Sequence, residues 1–507
     1  MTARDKIKDL DELAGLLDSL RDSRRIVHCH GVFDLLHIGH IRHFEQARRL
    51  GNLLVVTITP DRFVNKGPHR PVFSEQLRAE AVASLEGVDF VAINRWPTAV
   101  ETIRRLRPHV YAKGSEYKDP AKDLTGKIAD EAQAVTEVGG QMAFTEDIVF
   151  SSSALLNRYF SVLPEEAADF LATFRQRHSL GQVLGFLEAA RPLKALVVGE
   201  AIIDEYHYCE TMGKAGKEPV LAARYLSTEK FAGGVLAVAN QVAEFCGQVG
   251  LLTMLGEDDS HEEFIRPRLN PKIEPCFIPL AGQPTIIKRR FVEHYPFQKM
   301  FEIYIMGDLF GDEALTRSLG EQLKCLLPDF DLVVAADYGH GFIGPEAIRV
   351  LCDQAKFLAV NTQANAGNHG FNTISKYPRA DYIAISEREI RLETRKRRRD
   401  LRLIVEEVSQ KLSCPRILVT RGQQGCLSYH DQEGFVEVPA LSNRIVDRVG
   451  AGDAVLAVTA LCACLAAPME IIGLIGNAVG AQAVATVANR EPVGAVALAK
   501  HLESLLK

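Results

Sequence analysis

Three absences narrow what this chain can be. It has no Cys-x-x-Cys pair, although ten cysteines are spread over 507 residues; the closest two are Cys462 and Cys464. That scatter excludes a zinc ribbon and offers no disulfide framework, so free thiols in a reducing cytoplasm are expected. It has no basic excess. The formal charge is −6, which gives no electrostatic footing for nucleic acid or an anionic membrane as partner. It also has no apolar run of membrane-spanning length: the longest, Ala454–Ala467, is too short and reads as a buried helix. Met1–Ser23 sets Leu10, Leu13, Leu16, Leu17 and Leu20 among charges and reads as an amphipathic helix packed on a domain.

What is present is ordinary globular composition, 47% hydrophobic and 24% charged, in a chain too long for one domain. Residues 24–160 alternate strand and helix patterns, the mark of a parallel sheet covered on both faces. Residues 161–191 are polar with helical period, carrying Phe170, Phe174, Leu180, Val183 and Leu187, and read as a helical linker. A fresh apolar strand, Leu193–Gly199, opens a second domain over 192–507. The expected class is α/β, with two doubly wound domains.

The first domain declares its chemistry at His30-Gly31-Val32-Phe33-Asp34-Leu35-Leu36-His37-Ile38-Gly39-His40. Ahead of it, Arg25–Cys29 reads as a buried strand. Behind it, Ile41, Phe44, Ala47 and Leu50 recur at helical spacing. Strand, glycine-containing turn and helix start together offer free backbone N–H groups to phosphate. Gly39 permits close approach, and His37 and His40, three apart, project toward one ligand if the helix begins there. Alone, His-x-Gly-His also suits two histidines beside a plain turn; the preceding strand and Gly-x-Phe-Asp favour phosphate handling.

These residues resemble the cytidylyltransferase-like nucleotidyltransferases over about residues 24–160. Further matching segments are Lys66-Gly67, Arg70-Pro71, Arg107–Tyr117 and Phe150–Leu156. The sugar-1-phosphate branch, in particular the heptose-1-phosphate adenylyltransferases, is most similar. The resemblance implies a Rossmann-like domain. Gly31, Phe33, Asp34, Gly39 and Ser151, Ser152 and Ser153 would bind nucleotide, and His37 and His40 would stabilise developing charge, helped by Lys66 and by Lys113 or the serine helix start.

A different phosphate device stands near the end of the chain. Asp447-Arg448-Val449-Gly450-Ala451-Gly452-Asp453 immediately precedes an apolar helix. Small residues at Gly450, Ala451 and Gly452 let amides point at an anion, and Asp453 within that hole is placed to take a proton from an attacking hydroxyl. A capped glycine turn is the plain alternative. The surroundings resemble the ribokinase/PfkB sugar kinases over about residues 192–503: Gly233-Gly234, Asp337-Tyr338-Gly339-His340-Gly341, and Val419–Gly425. This implies substrate contacts from Asp204, Gly233 and Gly234, nucleotide contacts from Thr420, Gly422, Gly425 and Gly450–Gly452, and Glu387 on the metal side. Together the two modules resemble the bifunctional heptose-7-phosphate kinase/heptose-1-phosphate adenylyltransferases with their order inverted.

Departures bear on the kinase substrate. Ala237 and Ala384 stand where that family keeps asparagines, and Glu200 where the heptose branch has aspartate. The amide-rich stretch Asn361–Asn368 is either a loop built on Asn turns or the wall of a polar pocket. The basic run 395–399 has acidic neighbours and reads as a solvated helix face. The resemblance therefore implies a cytoplasmic, homodimeric bifunctional enzyme using Mg²⁺ and ATP, or another nucleoside triphosphate at the first site, on a sugar or sugar phosphate. Its product would be an NDP-activated sugar for a surface glycan such as lipopolysaccharide. The alternative is a single-activity nucleotidyltransferase, CTP-dependent and acting on an alcohol phosphate, with a ligand-binding kinase-like domain.

Overall fold

The computed structural model describes residues 2–64, 70–118, 127–145, 163–307, 313–396, 398–441 and 445–507. The chain divides into two compact units, Met1–Glu165 with Ala499–Lys507, and Glu166–Leu498. Among the described residues it forms three sheets.

In the first unit, β1 (Ile26–Gly31), β2 (Leu53–Ile58), β3 (Phe90–Ile93), β4 (Val110–Gly114) and β5 (Gln141–Thr145) make a parallel sheet of order β3-β2-β1-β4-β5. All six residues of β2 are buried, as a parallel strand covered on both faces requires. The strand order reverses between β1 and β4, so the crevice beyond their carboxyl ends is where this architecture takes a ligand. The leading segment forms two helices, Ala3–Lys6 and Leu10–Leu20, divided at Asp9, whose carboxylate caps the second. Leu10, Leu13 and Leu17 bury one stripe against Ile26, Leu53, Val55 and Phe90.

In the second unit, β6 (Lys194–Gly199), β9 (Gln248–Gly256), β10 (Ile273–Leu280), β13 (Leu332–Asp337), β14 (Leu358–Thr362), β15 (Tyr382–Ser386), β16 (Arg416–Thr420), β17 (Cys426–His430) and β18 (Gly434–Val438) form a nine-stranded sheet. It is parallel from β10 through β16 and closes with antiparallel β17 and β18. A separate four-stranded sheet, order β12-β11-β7-β8, is built from β7 (Ala201–Lys214), β8 (Leu221–Gly234), β11 (Ile286–Glu293) and β12 (Gln298–Ile305). The helix Ala451–Cys464 is buried on all sides from Ala454 to Ala463, which its uniformly apolar composition demands.

The stretch 161–191 contains two helices, Glu165–Arg177 and Leu180–Ala189, which bury Leu171, Phe174, Val183 and Leu187. His178 Nε2 lies 3.0 Å from a carboxylate oxygen of Glu470. The basic run differs from expectation. Its described residues, Arg395, Lys396, Arg398 and Arg399, lie in the connection between helices Glu387–Thr394 and Leu401–Lys411, not on a helix face. There Lys396 and Arg399 both pair with Glu407, so acidic partners nearby neutralise part of the run.

Candidate active sites in the two domains

The first site grows out of the end of β1. Phe33 adopts a left-handed conformation, φ 48°, and turns its ring back over Gly31. A Cβ there would sit 2.9 Å from the ring, so that position admits only glycine without displacement. The helix Ile38–Arg49 then starts with His37 as its N-cap: the Gly39 N–H donates to His37 Nδ1 at 3.1 Å. Accepting at Nδ1 leaves Nε2 as the protonated nitrogen of the neutral ring. The His37 and His40 rings stack with centroids 3.9 Å apart, and Phe33 meets His40 edge-on at 5.3 Å. Burial lowers the His37 pKa, which favours the uncharged ring. Two stacked imidazoles thus stand at a helix N-terminus, at the carboxyl end of β1 beside the switch point.

Other residues expected here have different surroundings. Asp34 is buried and accepts from the Val72 N–H (2.8 Å) and Phe73 N–H (3.1 Å), with Arg70 3.7 Å away, so its carboxylate pins a neighbouring loop. Lys113, at the end of β4, lies 3.0 Å from Glu131, which also accepts from the Tyr111 hydroxyl. Lys66 and Ser151–Ser153 fall outside the described residues. Sequence reasoning passed over three further histidines. His28 and His30 project from β1 onto the Thr57 hydroxyl at 2.7 and 2.9 Å, and His43 bonds Thr145 at 2.7 Å. Burial, aided by the Lys113 charge, holds His28 at about 3, His43 at about 4 and His30 well below its ordinary value. They are neutral packing groups. The i, i+2 spacing of His28 and His30 on a buried strand was the available signal.

The second site is a cavity of about 390 Å³ roofed by the four-stranded sheet. Asp204 and Arg290 form an ion pair on its wall, and Lys288 joins them, 4% exposed. A Cβ on Gly233 would lie 2.0 Å from Asp204 Oδ2, so the diglycine is what lets that carboxylate lie flat on β8. At the floor, Gly450 (φ 82°) starts the helix Ala451–Cys464, and Gly450, Gly452, Asp453 and Thr420 line the cavity. Gly422 and Gly425, both with positive φ, shape the turn from β16 to β17. Burial pushes Asp453 up to about 6, with the Tyr338 hydroxyl, 2.8 Å from Oδ1, working against the shift. A half-buried carboxylate near the N-terminal amides of a helix has the surroundings of a base beside an anion hole.

Glu387 has its carboxylate oxygens taken by Arg391 and Arg421, and Glu389 faces the cavity instead. Ala384 lines the same cavity. Ala237 lines a neighbouring one of about 320 Å³ that shares Gly450, Asp453 and Asn489 with it. The amide-rich loop is both things considered for it: Asn365 and Asn368 close Asx turns on Gly367 and Gly370, while Asn361 and Gln363 reach the cavity wall.

Asp447 was missed as a functional residue. Lys299 from β12 reaches it at 2.5 Å, the Tyr206 hydroxyl at 2.7 Å, and the N–H groups of Val449 and Ala488 at 3.1 Å each. Burial raises its pKa, but Lys299, the Tyr206 hydroxyl and the Val449 N–H outweigh burial and hold it below the usual carboxylate range. It fixes the loop that ends in the anion hole. Lys299→Met leaves a buried charge without its counter-ion. The variant is expected to lose about 3 kcal/mol of stability, seen as a lower unfolding midpoint in calorimetry of the whole chain.

Fold and sites define a two-domain α/β architecture: a Rossmann-like domain followed by a ribokinase-like domain. Residues 28–158 match the cytidylyltransferase-like family model, and residues 316–493 match the pfkB family carbohydrate kinase model. Among curated proteins, the N-terminal domain is similar to the bifunctional protein HldE of Pelobacter propionicus, 44% identical over 142 residues, 27% of this chain and 29% of that protein. It is also similar to HldE of Aliarcobacter butzleri, 39% identical over 137 residues, 26% of this chain and 28% of that one. The match thus spans under a third of the length of these relatives. Escherichia coli phosphofructokinase-2 in complex with fructose-6-phosphate shares the kinase fold at TM-score 0.51 and 15% identity, over 62% of this chain and 100% of that one.

Proposed function

We propose that this chain is a bifunctional enzyme of activated-sugar synthesis. The kinase domain transfers the γ-phosphoryl of ATP to a sugar or sugar phosphate. The N-terminal domain joins a sugar 1-phosphate to a nucleoside triphosphate: a phosphate oxygen bonds to the α-phosphorus in line as the bond to the β-phosphate oxygen breaks and pyrophosphate leaves. Such a step needs positioning and charge neutralisation rather than a covalent nucleophile. The observation that carries the reading is the pairing, in one chain, of the stacked His37/His40 helix start with the half-buried Asp453 behind Gly450–Gly452. The product is read as an NDP-sugar similar to ADP-heptose, destined for a surface glycan. Incubating the protein with each nucleoside triphosphate and a panel of sugar 1-phosphates, with products read by mass spectrometry, tests it. No nucleotide-sugar from any pair would overturn it.

Mg²⁺ is implied at both sites. Among the described residues no group of three metal-ligating side chains occurs. Of the carboxylates lining the kinase cavity, Asp204 is paired with Arg290, and Glu389 accepts from the Ala364 N–H and from Ser386, which leaves Asp453 to face an ion that would arrive with the nucleotide and keep its waters. It would neutralise phosphate charge.

A second reading, a nucleotidyltransferase acting on an alcohol phosphate with CTP and a kinase-like domain that only binds a ligand, is favoured by Ala384 and by the arginines occupying Glu387. CDP-alcohol formation without ATP consumption on any sugar would select it. We place the enzyme in the cytoplasm, which suits ten free cysteines. We read it as a homodimer because Phe301, Phe291 and His207 stack in succession and Tyr225 adjoins His207 at a tilt, a row of rings across all four strands of the smaller sheet, with Phe301 54% and Tyr225 59% exposed. Phe301→Glu is expected to convert a dimer to monomer in light scattering.

A further inference from the structure

Three features without a role in the proposed chemistry converge on the backbone of one residue. Glu200, wholly buried, accepts from two N–H groups, those of Tyr338 and His340, at 3.0 Å each. From the other side, Asn365 Nδ2 (2.6 Å) and Asn368 Nδ2 (3.0 Å) both donate to the Tyr338 carbonyl. Between them Gly339 takes φ 69°, where a Cβ would strike the amides of Asn368 and Asn372. One carbonyl needs a single partner to be satisfied. Two amides and a bridging carboxylate around one residue hold more than a turn requires. What they fix is the direction of a phenol: the Tyr338 hydroxyl meets Asp453 Oδ1 at 2.8 Å inside the cavity. Among the described residues it is the sole side chain with a hydrogen bond to that carboxylate.

We propose that Tyr338, mounted by Glu200, Asn365 and Asn368, is the positioning residue for Asp453, taking Oδ1 and presenting Oδ2 to the acceptor hydroxyl. The inference rests on the kinase reading. It assigns the amide-rich loop and Glu200 to orientation of the base rather than to substrate contact. The charged and titratable groups around Asp453 are Tyr338 from the turn after β13, Asp204 and Lys288 from the smaller sheet, and Glu389 from the helix Glu387–Thr394. Of these, the phenol is the one that bonds it.

The sign of the effect follows. A carboxyl raised to about 6 is mostly protonated in the folded chain at pH 5 and ionised at pH 8. The phenol stabilises the ionised form. Removing it raises the carboxyl further, so the added loss of stability appears at pH 8 and fades at pH 5. The test is a cycle of Tyr338→Phe, Asp453→Asn and the double variant in the full chain, with unfolding midpoints at pH 5 and pH 8. We expect Tyr338→Phe to lower the midpoint more at pH 8 than at pH 5, and that difference to vanish in the Asp453→Asn background. A loss equal at both pH values, or a pH difference that persists in the Asp453→Asn background, would overturn the proposal by making the phenol mere packing. Where the substrate panel yields an acceptor, Tyr338→Phe should move the acid limb of kcat upward by about one pH unit, tenfold at a fixed acid pH, with KM for ATP unchanged. An unmoved limb with a raised KM would count equally against it. If the wild type phosphorylates nothing, the kinase reading fails while the stability cycle still decides the Tyr338–Asp453 pairing.

Discussion

His40→Ala is expected to lower nucleotidyl transfer by about 10²-fold or more, the cost of one lost transition-state stabiliser, and to leave kinase activity unchanged. The magnitude follows from how rigidly the ring is held. His40 stacks on His37 at 3.9 Å and meets Phe33 edge-on, and Phe33 itself is locked by its positive φ over Gly31. A donor preorganised at a helix start contributes in the transition state without reorganising, which is where such groups have their largest effect. Alanine is a good helix former, so Ile38–Arg49 should survive the change. His37 keeps its own cap bond to Gly39. Purified variant and wild type compared on the same nucleotide and sugar 1-phosphate give the answer, and transfer near the wild-type rate would remove His40 from the mechanism.

Asp453→Asn is expected to abolish phosphoryl transfer while ATP affinity stays within a few-fold of wild type. The amide keeps the size of the carboxyl and can still accept from the Tyr338 hydroxyl, but it cannot take a proton. Amides of the Gly450–Gly452 turn remain to hold phosphate. Titration calorimetry separates the two effects; affinity that collapses with the rate would mark Asp453 as a structural cap. The wild type carries its own pH signature. Asp453 must be ionised to act, and its raised value of about 6 places the loss below that pH, about tenfold per unit.

Local chemistry was legible in the sequence wherever one short segment carried a whole device. His37, Gly39 and His40 lie within four residues, and Gly450 to Asp453 likewise, so strand, turn and helix start could be read together. Asp34 shows the limit: it sits inside the motif, yet its carboxylate holds Val72 and Phe73, a contact no spacing rule reveals. Glu387 and Glu389 differ only by helix phase. Arg391 and Arg421, the latter just beyond β16, hold Glu387, while Ser386 and the Ala364 N–H hold Glu389 beside the cavity.

Two α/β domains, each with a glycine-containing turn at a helix start, were readable along the chain, because apolar periodicity and glycine placement act over a few residues. Only the tertiary structure decided which charges meet. Lys299 on β12 meets Asp447 in the loop before the helix Ala451–Cys464, and Asp204 and Arg290 are joined by the pairing of distant strands. Glu200 comes from one end of the domain's sequence, and Asn365 and Asn368 from a loop well beyond Tyr338, to hold that one residue. Buried ion pairs and hydrogen bonds are selected by desolvation, which makes an unpaired polar group costly wherever it lies along the chain. That selection acts on distance in space, and periodicity along the chain carries no record of it.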